Sequence, residues 1–268
     1  MTTEHYVIRG GVEGRERLRV LARVMSPTTT ALVDRIGIPP DARCLDVGCG
    51  GGDVSFELAR RASAGSVLGV DVDEAKLEIC RDEAALHGLT NVRFEEADIT
   101  APLPAEAEFD VVYVRFVLTH LLSPADALAN LHAALAPGGV ILVEDIDFTG
   151  HFCYPDDDAF WRYVDLYTRA VQSRGCDPNI GPRLPSLLVG AGFDAVGMNV
   201  VQPAGMQGEV KLLAPITLEA IADAVLAAEL CGVDELERTV DDLHAFAQAE
   251  GTVLSFPRIV QSWGRRRP

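Results

Sequence analysis

Apolar residues along the chain follow a helical rhythm first and then an alternating one. Leu18, Leu21, Ala22 and Met25 share one helical face, with Arg15, Arg19 and Arg23 largely off it, so residues 14–25 read as an amphipathic helix. Pro27 is tolerated in a first helical turn and opens a second short helix in this reading, ending near Ile36-Gly37 before the Pro39-Pro40 turn. Short apolar runs then occupy 43–47, 66–70, 92–95, 110–114 and 140–144. Helical patterns separate most of them. Val54, Leu58, Ala59 and Ala62 share a face; Leu77, Cys80 and Ala84 share another before Gly88; Leu128, Leu131 and Leu135 mark a third before Pro137-Gly138-Gly139. Such alternation predicts an α/β unit of parallel strands joined by right-handed crossovers.

After residue 150 the pattern changes. Residues 155–174 and 184–191 are consecutive helical segments with no strand between them, and 195–201 reads as a sixth strand. A second helical pair, 218–228 and 235–250, precedes a final extended segment at 253–263. With no internal repeat or low-complexity stretch, the expectation is one domain over 1–268.

The most informative segment is 45–53, where an apolar strand runs into Gly48-Cys49-Gly50-Gly51-Gly52 and then a helix. Glycines there let a ligand approach the backbone. Dinucleotide enzymes use a comparable turn, but their fingerprint wants a third glycine where this chain has Asp53. Carboxylates at Asp53 and at the strand end, Asp46, repel a pyrophosphate and suit a ligand carrying an ammonium and a sulfonium. Asp71 ends the second strand, where a carboxylate accepts from both hydroxyls of a ribose. Asp98 follows the third strand, placed to accept from an adenine amino group, with Ile99 and Val72 sandwiching the ring.

Charge narrows the partners. Forty acidic against 23 basic side chains give a formal net charge of −17, which argues against nucleic acid. The basic run Arg265–Arg267 reads as a solvated tail. The six cysteines, Cys44 and Cys49 beside the glycine turn included, show neither disulfide-dense nor metal-type spacing, so no metal site is expected and a reducing compartment fits. The sequence starts without a signal-peptide pattern and has no run of about 18 apolar residues, so the expectation is a soluble, cytoplasmic protein without a membrane partner. Nothing in the sequence addresses oligomeric state.

Taken together, the turn at 46–52, Asp71, Asp98, the run 109–115 and Pro137-Gly138-Gly139 resemble the class I S-adenosylmethionine-dependent methyltransferases, in particular the group similar to ubiquinone/menaquinone-biosynthesis methyltransferases. The match is good over residues 40–150. The resemblance implies an open, seven-stranded, mostly parallel Rossmann-like sheet whose last strand is antiparallel, supplied by 253–263. It implies a cofactor-binding core at 40–150, an N-terminal helical lid at 1–37, and substrate-side helical additions at 151–192, after strand five, and 208–250, between strands six and seven. S-adenosyl-L-methionine is the implied cofactor, with Asp46, Gly48 and Gly50 along its methionine, Asp71 at the ribose, and Asp98 and Ile99 at the adenine. Arg115 would lie beside it, and Tyr6 with Arg9-Gly10-Gly11 resembles segments that fold over it.

The implied activity is methyl transfer to a small-molecule acceptor, with oxygen or nitrogen ahead of carbon. The alternatives are cofactor binding without methyl transfer and a nicotinamide-dependent oxidoreductase, the latter in conflict with Asp46 and Asp53. His120 and His151 are the candidate catalytic residues. Glu144, Asp145 and Asp147 compete with a capping or orienting role, whereas His87, His132 and His244 read as surface residues. Phe160, Tyr163 and Tyr167 share one helical face, most of it core, with one or two placed to meet an apolar acceptor.

Overall fold

A computed structural model describes residues 11–102 and 108–268, except the side chains of 11–13 and 15. The expected position Tyr6, with Arg9 and Gly10, lies outside the described residues.

The chain opens with α1 (Gly11–Ile36) and then alternates β1 (Arg43–Val47), α2 (Asp53–Arg61), β2 (Ser66–Asp71), α3 (Glu74–Leu86), β3 (Val92–Glu96), β4 (Phe109–Arg115), α4 (Pro124–Ala134) and β5 (Leu135–Asp147). There follow β6 (Cys153–Tyr154), α5 (Asp158–Gln172), α6 (Leu184–Gly190), β7 (Asp194–Val201), β8 (Ala204–Gly205), α7 (Leu213–Ala220), α8 (Ala222–Ala227), α9 (Val233–Gln248), β9 (Val253–Ser255) and β10 (Arg258–Arg265).

Seven strands form one open sheet in the order β3-β2-β1-β4-β5-β10-β7. The pairs among β1 to β5 are parallel, and β10 runs antiparallel between β5 and β7, as expected. Along β1 the side chains alternate between the two faces. Leu45 and Val47 join the core beneath α4, while Cys44 joins the core with α2 and α3. The reversal of chain order at β1 and β4 leaves a crevice at the carboxyl ends of these strands. A third core, including Phe160, Leu218 and Leu243, holds the added helices over that end.

Three expectations change. Pro27 does not start a second helix; it sits inside a continuous α1 of 26 residues. An interior proline costs a helix about 3 kcal/mol. Met25, Leu32 and Val33, all at most 2% exposed, flank it, and burial of such side chains stabilises by roughly 1.5–3 kcal/mol each. The unbroken helix wins because its first half packs on the helical additions and its second half on the sheet. The segment 253–263 is likewise two strands. Pro257 has no N–H for a ladder and restrains Phe256, so the chain breaks there. β9 pairs with β6 and β8 in a separate three-stranded sheet, and β10 alone enters the main one. The helix expected over 218–228 is two short ones, α7 and α8. Among the described residues no helix is long and apolar enough to cross a membrane.

Candidate active site

A cavity of about 230 Å³ opens at the carboxyl ends of β1, β2 and β4. Its wall includes Asp46, Gly48 and Gly50 from the first turn, Asp71 and Val72 after β2, Asp98 and Ile99 after β3, and Arg115 at the end of β4. All eight expected cofactor positions within the described residues therefore border one space.

The glycine turn is shaped for close approach. Gly48 has φ +63°, and a Cβ there would meet Val117 Cγ2 at 2.4 Å. The turn continues into α2, whose N-terminal cap is Gly52 at φ +79°. Asp71 ties the turn to the second strand: its Oδ2 accepts from Gly50 N at 3.0 Å and its Oδ1 from Asp73 N at 3.1 Å. A carboxylate offers about four lone-pair sites, so acceptor capacity remains for ribose hydroxyls. Asp98 Oδ1 accepts from Thr100 N at 2.9 Å and from Thr100 Oγ1 at 2.7 Å, which fixes its rotamer.

Asp46 is 2% exposed and accepts from Ser55 Oγ at 2.5 Å. Burial raises its pKa to about 7. A cation brought beside it would offset that burial, so the donor set fits the ammonium and sulfonium of S-adenosylmethionine.

Arg115 adds a feature the sequence did not reveal. Its Nη2 donates to both oxygens of Asp53, at 2.8 and 2.7 Å, and its Nη1 to Thr29 Oγ1 of α1 at 3.4 Å. The charge of Asp53, expected to repel a phosphate, is thus matched by a guanidinium, and the exclusion of an anion falls to Asp46. The partners are 62 residues apart, and no local pattern announces them.

His120 closes a 3-10 turn over Leu118–His120 and borders the cavity at 3% exposure. Burial, with smaller contributions from the cations Arg17, Lys76 and Arg174, lowers its pKa to about 3, so the ring is neutral. Asp145 orients that turn by accepting from Thr119 N at 3.1 Å. Its own pKa is raised by burial to about 7.

His151 is not brought to the cavity wall. Its Nδ1 donates to Ser255 O at 3.2 Å, and its ring packs on Phe148 and Phe160 at centroid distances of 4.5 and 5.4 Å. Burial also lowers its pKa to about 3. Glu144 and Asp147 likewise stay behind the wall. Glu144 accepts from Thr29 Oγ1 at 2.7 Å, Gln261 Nε2 at 2.6 Å and Tyr113 OH; Asp147 pairs with Arg258 at 3.3 Å.

Beyond the strand ends the wall is aromatic. Tyr163 and Tyr167 of α5 reach it, and Phe148 stacks on Tyr167 with centroids 4.0 Å apart; Phe160 is buried behind them. Phe116 and Phe256 join from the loops after β4 and β9. Phe116 holds φ +57°, a left-handed conformation that costs a non-glycine residue roughly 1–2 kcal/mol. Sequence reasoning missed Phe116, Phe148 and Phe256, along with Arg17 and Thr217, which come from α1 and α7. Their convergence is a long-range event: Arg17 Nε donates to Thr217 Oγ1 at 3.3 Å across 200 residues.

Comparison with known proteins agrees with this geometry. Residues 38–164 match a family model described as a methyltransferase domain. A trans-aconitate 2-methyltransferase of Deinococcus radiodurans is 31% identical over 180 residues, covering 65% of this chain and 67% of the relative. A ubiquinone biosynthesis O-methyltransferase of Hahella chejuensis is 35% identical over 127 residues, covering 46% and 51%. The chain spans about half the length of the first curated relatives it matches, 42% and 51% of two of them. In fold it is similar to a Haemonchus contortus phosphoethanolamine N-methyltransferase solved with phosphomonomethylethanolamine and S-adenosylhomocysteine, with a TM-score of 0.56 at 16% identity over 90% of this chain and 53% of that one. Sheet order, strand-end carboxylates, glycine turn and relatives lead to one conclusion: the chain belongs to the S-adenosylmethionine-dependent methyltransferases.

Proposed function

We propose that this protein transfers a methyl group from S-adenosylmethionine to a small-molecule acceptor, at oxygen or nitrogen rather than carbon. The observation that carries the reading is a single cavity with two chemistries: carboxylates and a glycine turn at the strand ends, and a neutral imidazole amid aromatic rings beyond them.

Asp46, Asp71 and Asp98 hold the cofactor, which supplies an electrophilic methyl group on a sulfonium. Arg115, anchored on Asp53, keeps α2 and the glycine turn in register with β4. The aromatic side chains exclude water and orient the acceptor, and positioning of this kind supplies most of what an in-line displacement needs. His120 takes the acceptor's proton. A heteroatom brings a lone pair to the displacement, and its proton turns strongly acidic as the new bond forms, so a weakly basic imidazole suffices. Generating a carbon nucleophile would demand a stronger base. Relatives named as an O-methyltransferase of ubiquinone biosynthesis and as a phosphoethanolamine N-methyltransferase support the heteroatom preference. The net charge of −17 supports a small molecule over a polyanion.

The test is calorimetry followed by turnover. S-Adenosylhomocysteine should bind the wild type and bind Asp71→Ala at least about tenfold more weakly, as expected for loss of charge-assisted hydrogen bonds. His120→Ala should keep that affinity and lose transfer of labelled methyl. Absence of binding to the wild type sinks the reading.

A further inference from the structure

Among the described residues three fixed cations border the cavity: Arg17, Lys76 and Arg115. Two stand beside carboxylates. Arg115 is bidentate on Asp53, and Lys76 Nζ lies 3.8 Å from Asp71 and 3.6 Å from Asp73. Arg17 is different. Its Nε donates to the neutral Thr217 hydroxyl at 3.3 Å, and among the described residues no carboxylate forms an ion pair with it.

Its place on α1 points it to the acceptor end. Leu18, about 100° further round the helix, packs over the glycine turn, its Cβ 3.6 Å from where a Cβ on Gly51 would lie. Arg17 instead meets α7 through Thr217, which lines the cavity together with Tyr163 of α5. Tyr163 and Tyr167 belong to the aromatic wall with Phe148, so the guanidinium shares the cavity with these rings and is held on their side by Thr217.

A cation facing an apolar chamber selects for a ligand that brings its own negative charge and an apolar body. A guanidinium binds a carboxylate in a planar, bidentate fashion, and the low-polarity surroundings strengthen the pair. A phosphate dianion is a poorer match, because a second buried charge needs a second cation or several further donors.

We propose that the methyl acceptor is an apolar-bodied carboxylic acid whose carboxylate is held by Arg17. The proposal rests on the methyltransferase reading and specifies its substrate.

The experiment uses the full chain saturated with S-adenosylhomocysteine and reads binding by calorimetry and thermal shift. The probes are 4-hydroxybenzoate and 4-hydroxycinnamate, their neutral amides, and phosphoethanolamine. At least one acid should bind more tightly than its amide by about tenfold, the worth of a charge-assisted pair. Arg17→Gln should abolish that preference while Arg17→Lys keeps part of it, with melting temperature reporting that both variants fold. Three results overturn the proposal: no acid exceeds its amide, the preference survives Arg17→Gln, or phosphoethanolamine competes equally through Arg17. A fourth does so as well. If Arg17→Gln weakens S-adenosylhomocysteine itself by tenfold, the guanidinium serves the cofactor's carboxylate. Failure of the wild type to bind S-adenosylhomocysteine overturns both this proposal and the methyltransferase reading, whereas binding without acid preference overturns only this one.

Discussion

Glu144 offers the sharpest test of how the site is held. Its side chain is 0% exposed and takes hydrogen bonds from three elements: Thr29 on α1 at 2.7 Å, Tyr113 on β4, and Gln261 on β10 at 2.6 Å. Those donors are themselves at most 4% exposed. Glu144→Ala leaves the Thr29 and Tyr113 hydroxyls without their acceptor, while Gln261 Nε2 keeps Thr28 O at 3.1 Å, and each buried unsatisfied group costs about 1–3 kcal/mol. Allowing for water entering the vacated space, the expected loss is about 4 kcal/mol. Glu144→Gln differs in kind. One oxygen remains for Thr29 and Tyr113, but an NH2 now faces the Gln261 amide. Flipping Gln261 would restore that bond but forfeit two, the one its oxygen accepts from Asn199 at 2.9 Å and the one its Nε2 donates to Thr28 O at 3.1 Å, so Gln261 keeps its orientation and loses only the bond to residue 144. The net cost is therefore one bond, about 1 kcal/mol. Urea denaturation of the three proteins measures both numbers, and a loss of about 4 kcal/mol should lower the melting temperature by roughly 8 °C in a chain of this size. The reasoning is refuted if Glu144→Ala stays within 1 kcal/mol of wild type, or if Gln is as damaging as Ala.

Two further outcomes follow from the same structure. Asp46 has a folded-state pKa of about 7 against an ordinary value near 4, so its contribution is complete at low pH and is lost as pH rises through 7. Asp46→Asn removes that dependence. Its urea stability in the absence of cofactor should gain on wild type by about 1.4 kcal/mol between pH 6 and 8, half a proton on average over two pH units; a constant difference across that range would contradict the assignment. Comparing the two proteins cancels the opposite contribution of the buried His120 and His151. At the glycine turn, Gly48→Ala combines a left-handed backbone with a Cβ 2.4 Å from Val117, whereas Gly37→Ala, at φ +73°, has nothing within 4 Å. Gly37→Ala should cost only the conformational term of about 1–2 kcal/mol and leave S-adenosylhomocysteine binding intact. Gly48→Ala should cost more and impair binding, and equal behaviour of the two by denaturation and calorimetry would count against the cradle.

The sequence by itself determined the parallel core and the strand-end half of the cavity. That half is written in short, local units: an apolar strand, a glycine turn or a carboxylate at its end, then a helix. Strand ends gather at one edge in such a sheet, so Asp46, Asp71 and Asp98 are brought together by topology, and periodicity in the sequence carries the topology. Tertiary structure alone decided the rest. Pro27 lies within a helix because burial on both sides outweighs a local penalty, and 253–263 splits because Pro257 cannot extend a ladder. The pairing of Arg115 with Asp53, the withdrawal of His151 behind Phe148, and the approach of Arg17 to Thr217 each join residues from 3 to 200 positions apart through shared packing. Side-chain direction after a strand end depends on what fills the space around it. The aromatic end of the cavity is built almost wholly from such meetings, which is why the methyl donor is legible in the sequence and the walls beyond the strand ends emerge only from the fold.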